Sequence, residues 1–291
     1  MASLKEVKTR IASVNSTRTI TSAMKMVASS KLHRAQQAIE SMRPYEMRLN
    51  KMMATFVSSM EGDLNSPYAM HREVRRVALV VYTSNSSLCG GFNGNAIKAL
   101  RKKVEAYREA GIEVVRVYAL GKKGLEAVRK LSVADVREHC TLLDHPAYDP
   151  AARIAAELMM LFAGGEVDKV ELIYHHFKSA ASQVLTEETF LPRSWEQTVE
   201  EQGGGEYQSD YIIEPSKELI VEKLVPKSLY LKLYTALLDS LASEHAARII
   251  AMQVATDNAD ELLAQLKLTY NKTRQQAITA ELLDIVGGSV Q

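Results

Sequence analysis

The residues whose types could do chemistry fall in a few places. The segment Ser84-Asn85-Ser86-Ser87-Leu88-Cys89-Gly90-Gly91-Phe92-Asn93-Gly94-Asn95 stands between an apolar, strand-like run and a helical one. That is where a phosphate or dinucleotide loop would lie, because the free N–H groups of a helix N-terminus attract anions. It has neither the GxGxxG nor the GxxxxGK[ST] spacing, and Gly121-Lys122-Lys123-Gly124 fails the second pattern too. The plainer reading is a tight strand-to-helix turn that uses glycine for positive φ. His139, Cys140, Asp144 and His145 have metal-ligand chemistry, and His175-His176 could add to them. Adjacent histidines on a strand point to opposite faces, and the CxxC or HxxxH spacing of structural metal sites is missing. There is no GxSxG and no HExxH. The chain is expected to carry no catalytic residues, no cofactor and no metal.

The elements that position these residues have two different periods. From Lys227 to Val286 there is neither proline nor glycine. A helix over that run would be about 90 Å long, too long to bury its apolar stripe on one compact core. Residues 1–43 also lack proline, and the first glycine is Gly62. The two ends are therefore expected to pair as one long antiparallel α-helical coiled coil, 1–60 with 211–291, with residues 74–210 inserted as a globular domain.

Heptads counted from Leu4 place Val7, Ile11, Val14, Ala28, Leu32, Ala35, Ile39, Met42, Leu49 and Met53 on one seam. Arg18, Thr21 and Lys25 interrupt it, and there the apolar residues move to Ile20, Ala23, Met24 and Val27. That implies either a second contact face or a stutter in the coil. Pro44 is expected to kink or interrupt the first helix. The seam of the last helix is read through Leu233, Leu237, Leu241, Ile249, Met252, Ala255, Ala259, Leu262 and Leu266, with Pro215 and Pro226 bracketing its entry.

In the insert the pattern predicts strands at 74–82, 112–120, 167–177 and 183–191. Helices are predicted at 95–110, 122–131 and 149–162. Strands alternating with helices imply an open α/β, Rossmann-like sheet. Residues 195–210, with acids, three glycines and no Lys or Arg, read as a solvated connection.

Composition narrows the function further. The 291 residues are 46% hydrophobic and 24% charged with formal net charge +1. A balance so near zero argues against a nucleic-acid partner, which selects a basic excess, and no aromatic residue precedes Tyr45 to stack on bases. Two cysteines make no disulfide framework and suit a reducing compartment. No run of eighteen apolar residues is present to span a membrane.

Charge is concentrated at one end. Residues 1–39 carry Lys5, Lys8, Arg10, Arg18, Lys25, Lys31 and Arg34 against Glu6 alone. Such a segment could pass for a mitochondrial transit peptide, but its apolar positions keep coiled-coil register and continue in phase. A basic helix of this kind suits acidic partner loops. Ile285 to Gln291 has no charged side chain, which suits an apolar sleeve in another protein.

Several segments together identify a family. Thr21-Ser22-Ala23-Met24-Lys25-Met26-Val27-Ala28 with Ser30-Lys31-Leu32, and Leu88-Cys89-Gly90-Gly91-Phe92-Asn93, are two of them. Ala255-Thr256-Asp257-Asn258, Tyr270-Asn271-Lys272-Thr273-Arg274-Gln275 and Ile278-Thr279-Ala280-Glu281 are the others. They closely resemble the gamma subunits of F-type ATP synthases, of bacterial type. Ser84-Asn85-Ser86-Ser87 stands where that family usually has Ser-Asp-Arg-Gly, and Gly288-Ser289 where it often has Gly-Ala.

The resemblance implies a central-stalk rotor without a catalytic site, peripheral to the cytoplasmic face of the inner membrane. Its partners would be the alpha and beta subunits, the epsilon subunit and the membrane c-ring. It implies that Met24 and Lys25 meet an acidic beta loop and that Arg274, Gln275 and Thr279 meet another. Tyr211 and Glu214 would lie near the c-ring. The rivals are a dinucleotide-binding α/β enzyme and a coiled-coil scaffold.

Overall fold

The computed structural model describes residues 3–58, 66–131, 133–193 and 217–288. The elements in order are α1 (Leu4–Ser58), β1 (Arg76–Tyr82), α2 (Phe92–Glu109), β2 (Glu113–Leu120), α3 (Lys122–Val128), β3 (Asp135–Glu138), a 3₁₀ turn (Cys140–Leu143), α4 (Tyr148–Ala163), β4 (Lys169–Ser179), β5 (Ser182–Leu191) and α5 (Lys217–Gly288). They divide into two compact units. One comprises residues 1–30 with 248–291, the other residues 31–247. Among the described residues no helix is long and apolar enough to cross a membrane.

The larger unit is built on a five-stranded sheet of order β3-β2-β1-β4-β5. β1 pairs in parallel with β2 and β4, β2 with β3, and β5 closes the edge antiparallel to β4. The apolar run Val77–Tyr82 makes β1 its centre, because a central parallel strand is covered on both faces. Successive side chains alternate between the faces. Val77, Leu79 and Val81 join Ala96, Leu100 and Val104 of α2 and Leu125 and Val128 of α3. Ala78, Val80 and Tyr82 join Ile154, Leu158 and Phe162 of α4, and Leu229, Leu233 and Leu237 of α5. The open α/β sheet expected for the insert is present. β3 and the 3₁₀ turn had no sequence signal; β3 is four residues long and none of its residues is fully buried.

Two expectations about the long helices are corrected. α1 is not interrupted at Pro44 but runs through it, although proline removes one backbone donor. The reason lies on either side of it. Ile39, Met42, Leu49 and Met53 all pack into the core of this unit, so tertiary burial outweighs one lost bond. Likewise Pro226 lies inside α5, which starts at Lys217 rather than near Lys227. Val225 and Leu229 beside Pro226 are fully buried.

Polar bonds also fasten α5 within this unit. Lys232 Nζ lies 2.8 Å from Glu188 Oε2 and His176 Nδ1 2.7 Å from Asp239 Oδ2. Tyr82 Oη donates to the Leu233 carbonyl at 3.2 Å, and Ser243 Oγ donates to the His175 carbonyl at 3.1 Å.

Candidate functional site

The turn that could have been a phosphate loop holds its own donors. The Ser84 amide donates to Asn93 Oδ1 at 2.9 Å, and Asn93 Nδ2 donates to Ser84 Oγ at 2.7 Å and to Cys89 Sγ at 3.1 Å. Asn85 Oδ1 accepts from the Lys122 amide at 3.1 Å. Side chains of the chain itself thus fill the place of an anion. Gly90, at φ 58, supplies the left-handed step the turn needs.

Gly121 and Gly124 have a packing role. A Cβ on Gly121 would sit 2.5 Å from the Thr83 carbonyl oxygen, and the Gly124 amide donates to Thr83 Oγ1 at 2.8 Å. The glycines let α3 approach the end of β1 closely.

The metal candidates diverge in the same way. His139 stacks on Tyr118 with ring centres 5.9 Å apart, and Cys140 is buried. Asp144 accepts from Asn85 Nδ2 at 3.2 Å, and His145 is exposed. His176 pairs with Asp239, whereas His175 lies against Phe92 with ring centres 4.5 Å apart. Among the described residues no three His, Cys, Asp or Glu side chains are placed to hold a metal ion together.

In the smaller unit the residues that interrupted the heptad pattern turn out to hold it. Arg18 Nε pairs with Asp260, Thr21 Oγ1 lies 2.8 Å from Thr256 Oγ1, and Lys25 Nζ donates to Gln253. Numbers rising along α1 as they fall along α5 make the pair antiparallel. Thr21 is buried, while Ile20 is 58% exposed and Val27 also faces out. The register therefore continues through a polar layer instead of changing face.

From Thr256 to Leu283 the buried or half-buried positions of α5 are Thr256, Ala259, Leu263, Leu266, Tyr270 and Thr273, which alternate in steps of three and four. The seam reading through Leu262 is corrected: Leu263 is 8% exposed and Leu262 42%. Leu266, four residues after one and three after the other, fits either pattern, so the sequence alone favoured neither.

The predicted contact residues fall into two groups. Met24 and Lys25 are half-buried on α1, with Lys25 held by Gln253. Arg274, Gln275 and Thr279 are exposed on α5, where Thr279 Oγ1 donates to the Gln275 carbonyl at 2.9 Å. Roughly twenty residues of helix separate Gln253 from Arg274, about 30 Å along the axis, so the two groups stand at separate places on the helix pair. Tyr211 and Glu214 lie outside the described residues. Of the cations of the basic segment, Arg18 and Lys25 turn to α5, while Lys5, Lys8 and Arg10 stay exposed. Around and between these places α1 and α5 leave further apolar side chains uncovered, among them Met26, Ile250, Val254 and Leu268. The sequence reading missed the Arg18–Asp260 and Thr21–Thr256 pairs. Their signal was three consecutive seam positions that are polar, which need partners when buried.

In the larger unit the charged cluster around Glu188 is balanced. Burial alone would raise the Glu188 carboxyl, but Lys232, Arg193 and the hydroxyl of Tyr174 hold it below its ordinary value. Burial raises the carboxyl of Asp239, opposed in part by His176, and also raises that of Glu46.

The family model described as ATP synthase matches residues 3–290 of the chain. The ATP synthase gamma chain of Bacteroides thetaiotaomicron is 54% identical, covering all of both chains. That of Bacteroides fragilis is 56% identical over all of both, and that of Flavobacterium johnsoniae 48% over 99% of this chain and 98% of its own. The fold resembles a chain of the Euglena gracilis mitochondrial ATP synthase rotor, with TM-score 0.62, 21% identity and coverage of 94% and 98%. It also resembles one of the Tetrahymena thermophila mitochondrial ATP synthase central stalk and c-ring, with TM-score 0.57, 24% identity and coverage of 81% and 99%. A helix pair made of the two ends of the chain, a five-stranded insert and whole-length identity near one half lead to one placement: the chain belongs to the ATP synthase gamma-chain family.

Proposed function

We infer that this chain is the central rotor of an ATP synthase, transmitting torque between the membrane c-ring and the hexamer of alpha and beta subunits. As a gamma chain it is a non-catalytic subunit, and nucleotide chemistry belongs to the beta subunits. The observation that carries the reading is α5. Its residues Leu229–Leu241 are built into the core of the sheet unit, and its residues Met252–Leu266 form the seam with α1. One unbroken helix belongs to both units, so force applied to the sheet unit has a covalent, hydrogen-bonded path into the helix pair.

Met24 and Lys25 are the proposed contacts with one beta loop, and Arg274, Gln275 and Thr279 those with another. Charge-assisted bonds from such side chains are strong yet exchangeable, as a turning contact requires. Tyr211 and Glu214 are the proposed contacts toward the c-ring, and epsilon would join the sheet unit. The complex would sit at the cytoplasmic face of the bacterial inner membrane. Coupling of this kind needs contacts that differ between the states of each beta subunit.

The test is reconstitution with tagged alpha and beta subunits. The chain should co-purify with them and stimulate Mg-ATP hydrolysis, and Met24→Lys should disturb the link between hydrolysis and ion pumping. A chain that neither co-purifies nor changes hydrolysis would overturn the assignment.

A further inference from the structure

Within the larger unit, α1, α5 and the segment after the 3₁₀ turn enclose a cleft of about 200 Å³. One part of its wall is apolar: Ala35 and Ala38 of α1, Leu238 and Leu241 of α5, and Leu143 and Pro146. A dry cavity of about 150 Å³ holds benzene, so this one has room for a single ring with a short polar tail. Lys31 and Arg34 line the cleft from one side of α1, one turn apart and exposed. Neither has an ion-pair partner among the described residues. The Tyr234 ring lines it too, packed edge-on against Tyr148 at 5.8 Å. The lining also holds one acid, Asp144, whose Oδ1 accepts from Asn85 Nδ2 at 3.2 Å, so Lys31 and Arg34 stand as two cations against one carboxylate, and His245 lines the cleft as well.

The geometry points to a binding site for a small amphipathic carboxylate, its ring against Leu238, Leu241 and Ala38 and its anionic end met by Lys31 and Arg34. An apolar wall alone would accept any small hydrocarbon. Two cations free of partners at the same opening select an anion, because a carboxylate there gains charge-assisted bonds without breaking an existing pair. Guanidinium and ammonium side by side suit one carboxylate, the first as a flat fork and the second as a point charge. Nothing in the rotor reading requires this site, and its failure would leave that reading unchanged.

The probes are phenylacetate, its neutral isostere phenylacetamide, and inorganic phosphate, each titrated into the purified full-length chain and followed by ligand-observed NMR. Phenylacetate should bind saturably, with Kd on the order of 1 mM or tighter, and the amide about tenfold more weakly. Lys31→Gln with Arg34→Gln, both exposed and so harmless to folding, should weaken phenylacetate about tenfold and leave the amide unchanged. Ala38→Leu should block both by filling the wall. Equal affinity for acid and amide, or full affinity in the double glutamine variant, would overturn anion recognition. Phosphate competing as well as phenylacetate would overturn the need for a ring. Binding that survives Ala38→Leu, or no saturable binding at all, would overturn the site.

Discussion

His175 shows what one buried side chain costs. It is 2% exposed, neither ring nitrogen has a hydrogen-bond partner, and its ring lies on Phe92. Burial pulls its pKa from 6.5 down to about 4, so the fold holds it neutral. The sign follows from linkage. A depressed histidine pKa means that the unfolded chain takes up the proton first, so stability is intact above pH 6.5 and is lost as pH falls toward 4. Between pH 7 and pH 4.5 this residue should remove about 2–3 kcal/mol of unfolding free energy. His175→Phe keeps a flat ring on Phe92 and gives up no hydrogen bond. Urea unfolding should therefore find it within about 1 kcal/mol of the parent at pH 7, with a shallower loss on acidification. Equal slopes for the two proteins would remove His175 as the cause.

At the scale of the element, the helix pair tests how far a heptad count can be trusted. Leu262 and Leu263 are both leucine and adjacent, yet only Leu263 lies in the seam. Leu263→Ala should cost about 2 kcal/mol or more, since it opens a void at a buried position. Leu262→Ala should stay within about 0.5 kcal/mol, as surface changes do. Thermal unfolding by circular dichroism separates them, and a larger loss for Leu262→Ala than for Leu263→Ala would return the seam to the 262 register.

Much of the architecture was legible beforehand for reasons these residues make plain. Six consecutive apolar side chains at Val77–Tyr82, rich in valine, suit a strand covered on both faces, and a sixty-residue run without breakers suits a long helix. The polar layer was harder to read. Arg18, Thr21 and Lys25 look like a broken seam until Asp260, Thr256 and Gln253 are seen opposite them, and cross-helix partners more than two hundred residues away leave no local trace. Pro44 and Pro226 misled for the same reason: propensity is local, and the burial that overrides it is not. Of the partner contacts, the sequence offered only resemblance, and exposed residues such as Arg274 and Gln275 have no internal geometry to distinguish them.

For the whole molecule, the question is what transfers torque from the sheet to α5, polar bonds or packing, and magnitudes decide it. Lys232 and Glu188 are each about a quarter exposed, and Glu188 keeps Arg193 and Tyr174 when Lys232 is lost. Lys232→Met should therefore cost only about 1 kcal/mol. Leu233, in contrast, is fully buried among Tyr82, Leu237 and the α4 residues, and Leu233→Ala should cost about 2–5 kcal/mol. Packing dominates, because a close-packed core transmits strain while an ion pair near the surface can exchange with water. In the reconstituted, membrane-bound complex both variants should keep Mg-ATP hydrolysis, whose chemistry lies in other subunits. The ratio of ions pumped to ATP hydrolysed should stay near the parent value in Lys232→Met and fall in Leu233→Ala. If the order is reversed, with the lysine variant slipping and the leucine variant fully coupled, the polar fastening and not the core carries the load.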